Sequence, residues 1–212
     1  VPGLDEVMAL MEIVAWVKEE RYACIVVDTA PAGHTLRLLG LPALMRQWVA
    51  ALDAMLAKHR YMARLYRGVY HKDAVDLYLE QTAADLTNLW ALLRSPARCR
   101  FVPVMLAEAL SIHVTRAMLS ELDRLGLPVR EVVVNRLLSP SLALPLNGGG
   151  EDGDCPACAE WTSRQTIAIE ELTQVFSKYT LWGLPLFLEE VRGTERLLTV
   201  WEHARPLAQA KW

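Results

Sequence analysis

Short, unbroken apolar runs separated by helix-length stretches constrain this chain most. "YACIVV" (22–27), "CRFVPVML" (99–106), "VREVVVN" (129–135) and, more weakly, "YTLWGLPL" (179–186) each have the length and content of a strand buried on both faces. Four such runs with helical stretches between them predict an α/β fold built on a doubly wound, mostly parallel sheet. The 212 residues, 53% of them hydrophobic, suffice for one such core. Residues 4–20 place Leu4, Val7, Met8, Met11, Val14 and Ala15 on one helical face, with Asp5 and Glu6 at the N-terminal end. From Thr35 to Arg98 the chain runs far longer than a crossover helix needs, punctuated only by Gly40, Pro42, Gly68 and Pro96. This predicts a helical subdomain, about 40–98, inserted into a single domain over 1–212. "SPSLALPLNGGGEDGD" (139–154) reads as a flexible loop.

Charge and composition exclude several functions. The 22 basic and 25 acidic residues are interspersed and give a net charge of -3, so no nucleic-acid footprint is present. The longest stretch without Asp, Glu, Lys or Arg, Leu137 to Gly150, contains two prolines and three consecutive glycines and cannot span a bilayer. No direct membrane insertion is expected. The opening "VPGLDEVMALME" lacks the basic n-region of a secretory signal. Four cysteines, two isolated and two in one CxxC, suit a reducing compartment, with the cytoplasm as the default.

Three places carry chemistry. Asp28 follows the first apolar run and stands beyond the carboxyl end of the expected strand, where open α/β sheets bind ligands. A carboxylate there can hold magnesium directly or through its water shell, and Gly33 lets the backbone approach a terminal phosphate. The plainer alternative is that Asp28 caps a turn and Pro31 to Gly33 reverse the chain. Cys155 and Cys158 stand three residues apart and can converge on one metal, although structural zinc wants four ligands. Neither Cys24, Cys99 nor His203 has the spacing to complete the set, so a second chain across a twofold axis is the simplest source; a redox pair or reversible disulfide is the competing reading. Asn135 ends the third run with an amide able to pair with both edges of a base, or to form a turn.

"DTAPAGHTLRLLGLP" (28–42) resembles the switch II segment of the ArsA/Get-pathway ATPases, a P-loop family of arsenite-pump ATPases and targeting factors for tail-anchored membrane proteins. "PGLDE" (2–6), "VVVNRLL" (132–138), "CPAC" (155–158) and "LPLFLEEVRGTERL" (184–197) match in the same order, so the resemblance covers nearly the whole chain. It implies an ATP-binding and ATP-hydrolysing dimeric switch that couples nucleotide state to a membrane transporter or a hydrophobic client. Asp28 becomes the magnesium-side acid, acting through water. Thr29 to His34, with Gly33 and His34 at its end, becomes the γ-phosphate-responsive loop. Asn135, Pro185, Glu190 and Arg192 flank the adenine of ATP or ADP, and Cys155 and Cys158 share zinc across a homodimer. Glu108 resembles an acid that relatives carry after the same strand, with no chemistry attached.

The chain departs from the family pattern. No "GKGGVGKT" occurs, so the amides and lysines that cradle the phosphates are missing, and the chain reads as the C-terminal two-thirds of an ATPase that is inactive by itself. Ala32 stands where relatives usually have Thr, and Val114 where they commonly have Glu. No metalloid-binding cysteine occurs between residues 25 and 98, which favours the targeting branch over arsenite transport. An ATP-independent, zinc-dimerised chaperone or scaffold is the reading from another class.

Overall fold

A computed structural model describes residues 4–29, 32–68, 71–138, 156–187 and 190–209. Two compact units emerge: Val1–Cys99 with Leu125–Leu127, and Arg100–Arg124 with Pro128–Trp212. Each is described by itself.

The first unit is helical: α1 (Leu4–Lys18), α2 (Ala32–Arg67) and α3 (Ala74–Leu93). α2 runs unbroken through Gly40 and Pro42, which the sequence marks as punctuation. Proline costs one ladder hydrogen bond but its fixed φ is helical, and Leu39, 6% exposed, anchors the stretch. Gly68 does end the helix, at φ 74°, with its N–H donating to the Arg64 carbonyl. α3 opens with a capping box: the Asp73 side chain accepts from the Val75 and Asp76 amides, and the Asp76 carboxylate accepts from the Asp73 amide. The other oxygen of buried Asp76 takes Arg60 of α2 at 2.7 Å, and Arg60 also reaches Asp53. Both carboxylates hold the Arg60 guanidinium even more firmly protonated than usual. Leu79, Leu86, Leu89 and Leu93 form the buried stripe of α3.

The second unit is a four-stranded sheet in the order β1 (Val104–Leu106), β2 (Glu131–Leu137), β3 (Thr180–Pro185), β4 (Arg205–Pro206). The first three pair in parallel and β4 is antiparallel, giving the α/β, mostly parallel sheet. α4 (Ala109–Arg124) and α5 (Pro156–Val175) are the crossovers, and α6 (Gly193–Glu202) precedes β4. Met105, Val132, Val134, Leu137 and Leu181 pack with Ile112 and Leu119 of α4, with Leu172 of α5 and with Phe176 just after it. The alternate residues Leu106, Val133, Asn135, Trp182 and Leu184 are only half-buried, so the strands are sealed on one face rather than both. Trp201 of α6 meets Trp182 with ring centroids 5.9 Å apart.

The first apolar run corrects the sequence reading. Residues 22–27 form no strand; they have no regular secondary structure, with a bend at Ala23 and with Val26 88% and Val27 54% exposed. A parallel strand needs a hydrogen-bonded neighbour, and among the described residues this segment has none. The second run shortens to β1, with Phe101 bridging Val129 in isolation, because Pro103 between them cannot donate to a ladder. The third and fourth runs become β2 and β3. No helix among the described residues is long and apolar enough to cross a membrane.

Candidate functional site

Asp28 lies in the irregular stretch that follows the first apolar run, and it is exposed. Four residues separate it from the second residue of that helix, Gly33. Because α2 starts at Ala32, the amides of Gly33 and His34 fall in its first turn, where N–H groups have no partner within the helix. The first turn contains no acidic residue, so no side-chain carboxylate there competes for the positive end of the helix dipole. The side chain of His34 lies outside the described residues, as do Ala30 and Pro31.

At the carboxyl ends of the strands, the sheet unit brings Asn135 and Pro185 onto neighbouring strands, with Leu137 in register with Pro185. Between Val134 and Leu137 β2 carries one more residue than β3 opposite, a bulge, and Arg136 takes the left-handed conformation at φ 59°. The Asn135 side-chain oxygen accepts the Arg136 N–H at 2.9 Å. Its amide nitrogen is then the group best placed to donate to a ligand. Glu190 and Arg192 pair with each other at 2.7 Å, both exposed, and the Glu190 carbonyl accepts Arg196 at 3.0 Å. Arg192 is also the N-cap residue of α6, without a capping side-chain bond. Asp28, Gly33 and His34 belong to the helical unit; Asn135, Pro185, Glu190 and Arg192 belong to the sheet unit.

Cys155 lies outside the described residues. Cys158 sits in the first turn of α5, which begins at Pro156, and its side chain also lies outside them. Among the described residues no cluster of three or more His, Cys, Asp or Glu could hold a metal. Cys24 is exposed, whereas Cys99 is half-buried and burial pushes its thiol up. Glu108 is exposed just beyond β1, and Val114 is 44% exposed on α4.

Sequence reading missed one positioning residue here. Gln165 of α5, 4% exposed, clamps Leu138 at the end of β2: its oxygen accepts the Leu138 N–H at 2.8 Å and its nitrogen donates to the Leu138 carbonyl at 3.1 Å. Both strand-end backbone groups are thus satisfied by one side chain. Nothing in the local pattern of α5 marks it, except a polar residue three positions before the buried Ala168.

Comparison with known proteins adds two findings. Residues 1–204 match the family model described as "Anion-transporting ATPase". A protein from Rhodotorula glutinis named ATPase GET3 is 31% identical over 202 residues, which is 93% of this chain and 57% of that protein. The chain therefore spans little more than half the length of this relative.

Proposed function

This chain belongs to the anion-transporting ATPase family, and from that premise we propose that it is part of an ATP-binding and ATP-hydrolysing dimeric switch. Its nucleotide state would be coupled to a transport or membrane-protein-targeting partner. The observation that carries this reading is continuity: Asp28 stands four positions before the start of a 36-residue helix, α2, whose first turn holds Gly33 and His34. Displacement of the Gly33–His34 turn would be displacement of the start of the helix itself.

Roles follow from chemistry. Asp28 offers a hard oxygen donor suited to the water shell of magnesium. The amides of Gly33 and His34 are donors for a terminal phosphate that comes and goes with hydrolysis. Asn135 donates through its amide nitrogen to the adenine edge, beside Pro185, with Glu190 and Arg192 following β3. The phosphates themselves need a glycine-rich, lysine-bearing loop that this sequence does not contain. Turnover is therefore proposed for the assembly that includes such a loop, in which magnesium neutralises developing phosphate charge. The thiolates of Cys155 and Cys158 fit half of a zinc site, completed by the same pair from a second chain.

The test is turnover of this chain joined to a P-loop-bearing segment. Asp28→Asn should lower it at least about tenfold, because magnesium loses a charged partner. Unchanged turnover would remove Asp28 from the mechanism. One second reading, an ATP-independent scaffold dimerised by zinc, rests on the CxxC pair Cys155 and Cys158. Sedimentation separates the two: a dimer that follows zinc and ignores a nonhydrolysable ATP analogue, even beside the P-loop segment, supports the scaffold.

A further inference from the structure

We propose that Gln165 of α5 is a positioning residue for base selection: by locking the chain just after β2, it holds the Asn135 amide in the orientation that accepts adenine and rejects a 6-oxopurine. The backbone at this point needs holding. Arg136 sits at φ 59°, where the Cβ of an L-residue crowds the following carbonyl oxygen. A non-glycine residue keeps such a conformation only where its surroundings over-determine it. The next two residues supply that restraint. Leu137 is fully buried and its carbonyl accepts the Leu186 N–H at 2.8 Å. Leu138 gives its N–H to the Gln165 oxygen at 2.8 Å, and its carbonyl accepts from the Gln165 nitrogen at 3.1 Å. The primary amide of Gln165, in a residue only 4% exposed, thus stands in for the peptide of a neighbouring strand.

What the lock protects is the polarity of a hydrogen bond. The Arg136 N–H is a donor, so the Asn135 atom that meets it at 2.9 Å must be the oxygen, which turns the nitrogen outward. With the amide fixed that way, Nδ2 donates to a ring nitrogen of adenine and the second lone pair of Oδ1 takes the 6-amino group, the bidentate pairing that asparagine makes with this base. A 6-oxopurine meets the same arrangement with oxygen against oxygen. Without Gln165 the Leu138 backbone groups turn to water and Arg136 relaxes toward an extended conformation. The Asn135 amide then loses the Arg136 N–H and rotates to suit either base. This role rests on the reading of Asn135 as the adenine-facing residue, and adds to it the device that enforces the choice.

The experiment is steady-state hydrolysis of ATP and of inosine triphosphate, which carries the 6-oxo edge, by this chain joined to a P-loop-bearing segment. The unaltered assembly should prefer ATP at least about thirtyfold in kcat/KM. Gln165→Met, which keeps the volume and removes both bonds, should raise the KM for ATP several-fold, leave its kcat within about twofold and cut the preference at least about tenfold. Gln165→Asn, too short to reach both backbone groups, gives the same readout where Gln165→Met fails to fold. In an Asn135→Ala background Gln165→Met should change the preference no further, because the amide it positions is gone. Adding Arg136→Gly to Gln165→Met should restore the preference at least about threefold, because glycine holds a left-handed turn without help. Amide exchange at Leu138 should quicken in Gln165→Met. An unchanged preference despite quicker exchange, unchanged exchange, an equal loss for both nucleotides, a further change in the Asn135→Ala background or no rescue by glycine would overturn the proposal and leave the ATPase reading standing. So would an unaltered assembly that turns over both nucleotides alike. Failure of the unaltered assembly to hydrolyse either nucleotide would overturn both.

Discussion

α2 and α3 are built from the same materials and use them in opposite ways. Both carry Leu, Trp and other apolar residues at helical spacing, and both belong to the helical unit. In α3 the apolar stripe is the inside: Leu86 and Leu89 are each 1% exposed, and the acids Glu80 and Asp85 pair with Lys72 and Lys18. In α2 the cations Arg46 and Arg60 face the neighbouring helix while Trp48, Met55 and Tyr66 face water. Amphipathicity alone does not say which side of a helix is inside. The polar side turns inward wherever a neighbour supplies its partners, and here Trp90 and Asp76 do so.

The comparison breaks most readily at the core. Leu89→Ala should cost about 3 kcal/mol of stability, the usual consequence of a cavity in a packed interior. Met55→Ala should stay within about 0.5 kcal/mol. Denaturant midpoints of the two variants measure this directly, and equal losses would mean that the α2 stripe is covered in solution. A smaller effect separates the helix starts. α3 has a capping box, so Asp73→Ala should cost about 1 kcal/mol and lower helicity at its N-terminus. Amide hydrogen exchange across residues 74–77 reads it, and unchanged protection would show the box to be idle.

The smallest effect concerns pH. The hydrogen bond from Lys18 holds the Asp85 carboxyl below the usual carboxylate range, opposed by burial and aided, to a smaller degree, by Gln81. A depressed folded-state value favours the folded chain above the ordinary aspartate range, about 3.9, and the contribution fades as pH falls through the depressed value. Asp85→Asn should therefore destabilise slightly at pH 7, by a few tenths of a kcal/mol for a pair near the surface, and the difference should vanish in strong acid. A constant difference across pH would trace the effect to packing between α1 and α3.

What the sequence could reveal followed the range of the forces involved. β2 was legible because "VREVVVN" is apolar whichever neighbours it has, yet the bulge at Asn135–Arg136 was not, since it depends on a left-handed arginine that no pattern announces. "YACIVV" has the same composition as a buried strand and lacks only a neighbour, which is a property of the rest of the sheet. The two-residue β4 is too short to leave a periodicity. Among candidate residues, Asn135 does fall near the end of the strand its apolar run forms, whereas the run before Asp28 forms no strand among the described residues. Gln165 was not legible, because its partners lie 27 residues away at the end of β2. The two faces of α2 and α3 were indistinguishable for the same reason: periodicity locates a stripe, and only tertiary contacts say what lies against it.

The unbroken course of α2 past Pro42 has a mechanical consequence. A helix lengthens by about 1.5 Å per residue, so the stretch before Pro42 is about 15 Å long and the stretch after it about 38 Å. Proline leaves one rung of the ladder unmade, which is where a long helix bends most easily. Pivoting there turns each ångström of movement beside Gly33 into about 2.5 Å at the far end near Arg67. The geometry is that of an unequal lever, with its short arm at the turn proposed to face phosphate and its long arm carrying the exposed apolar residues of α2.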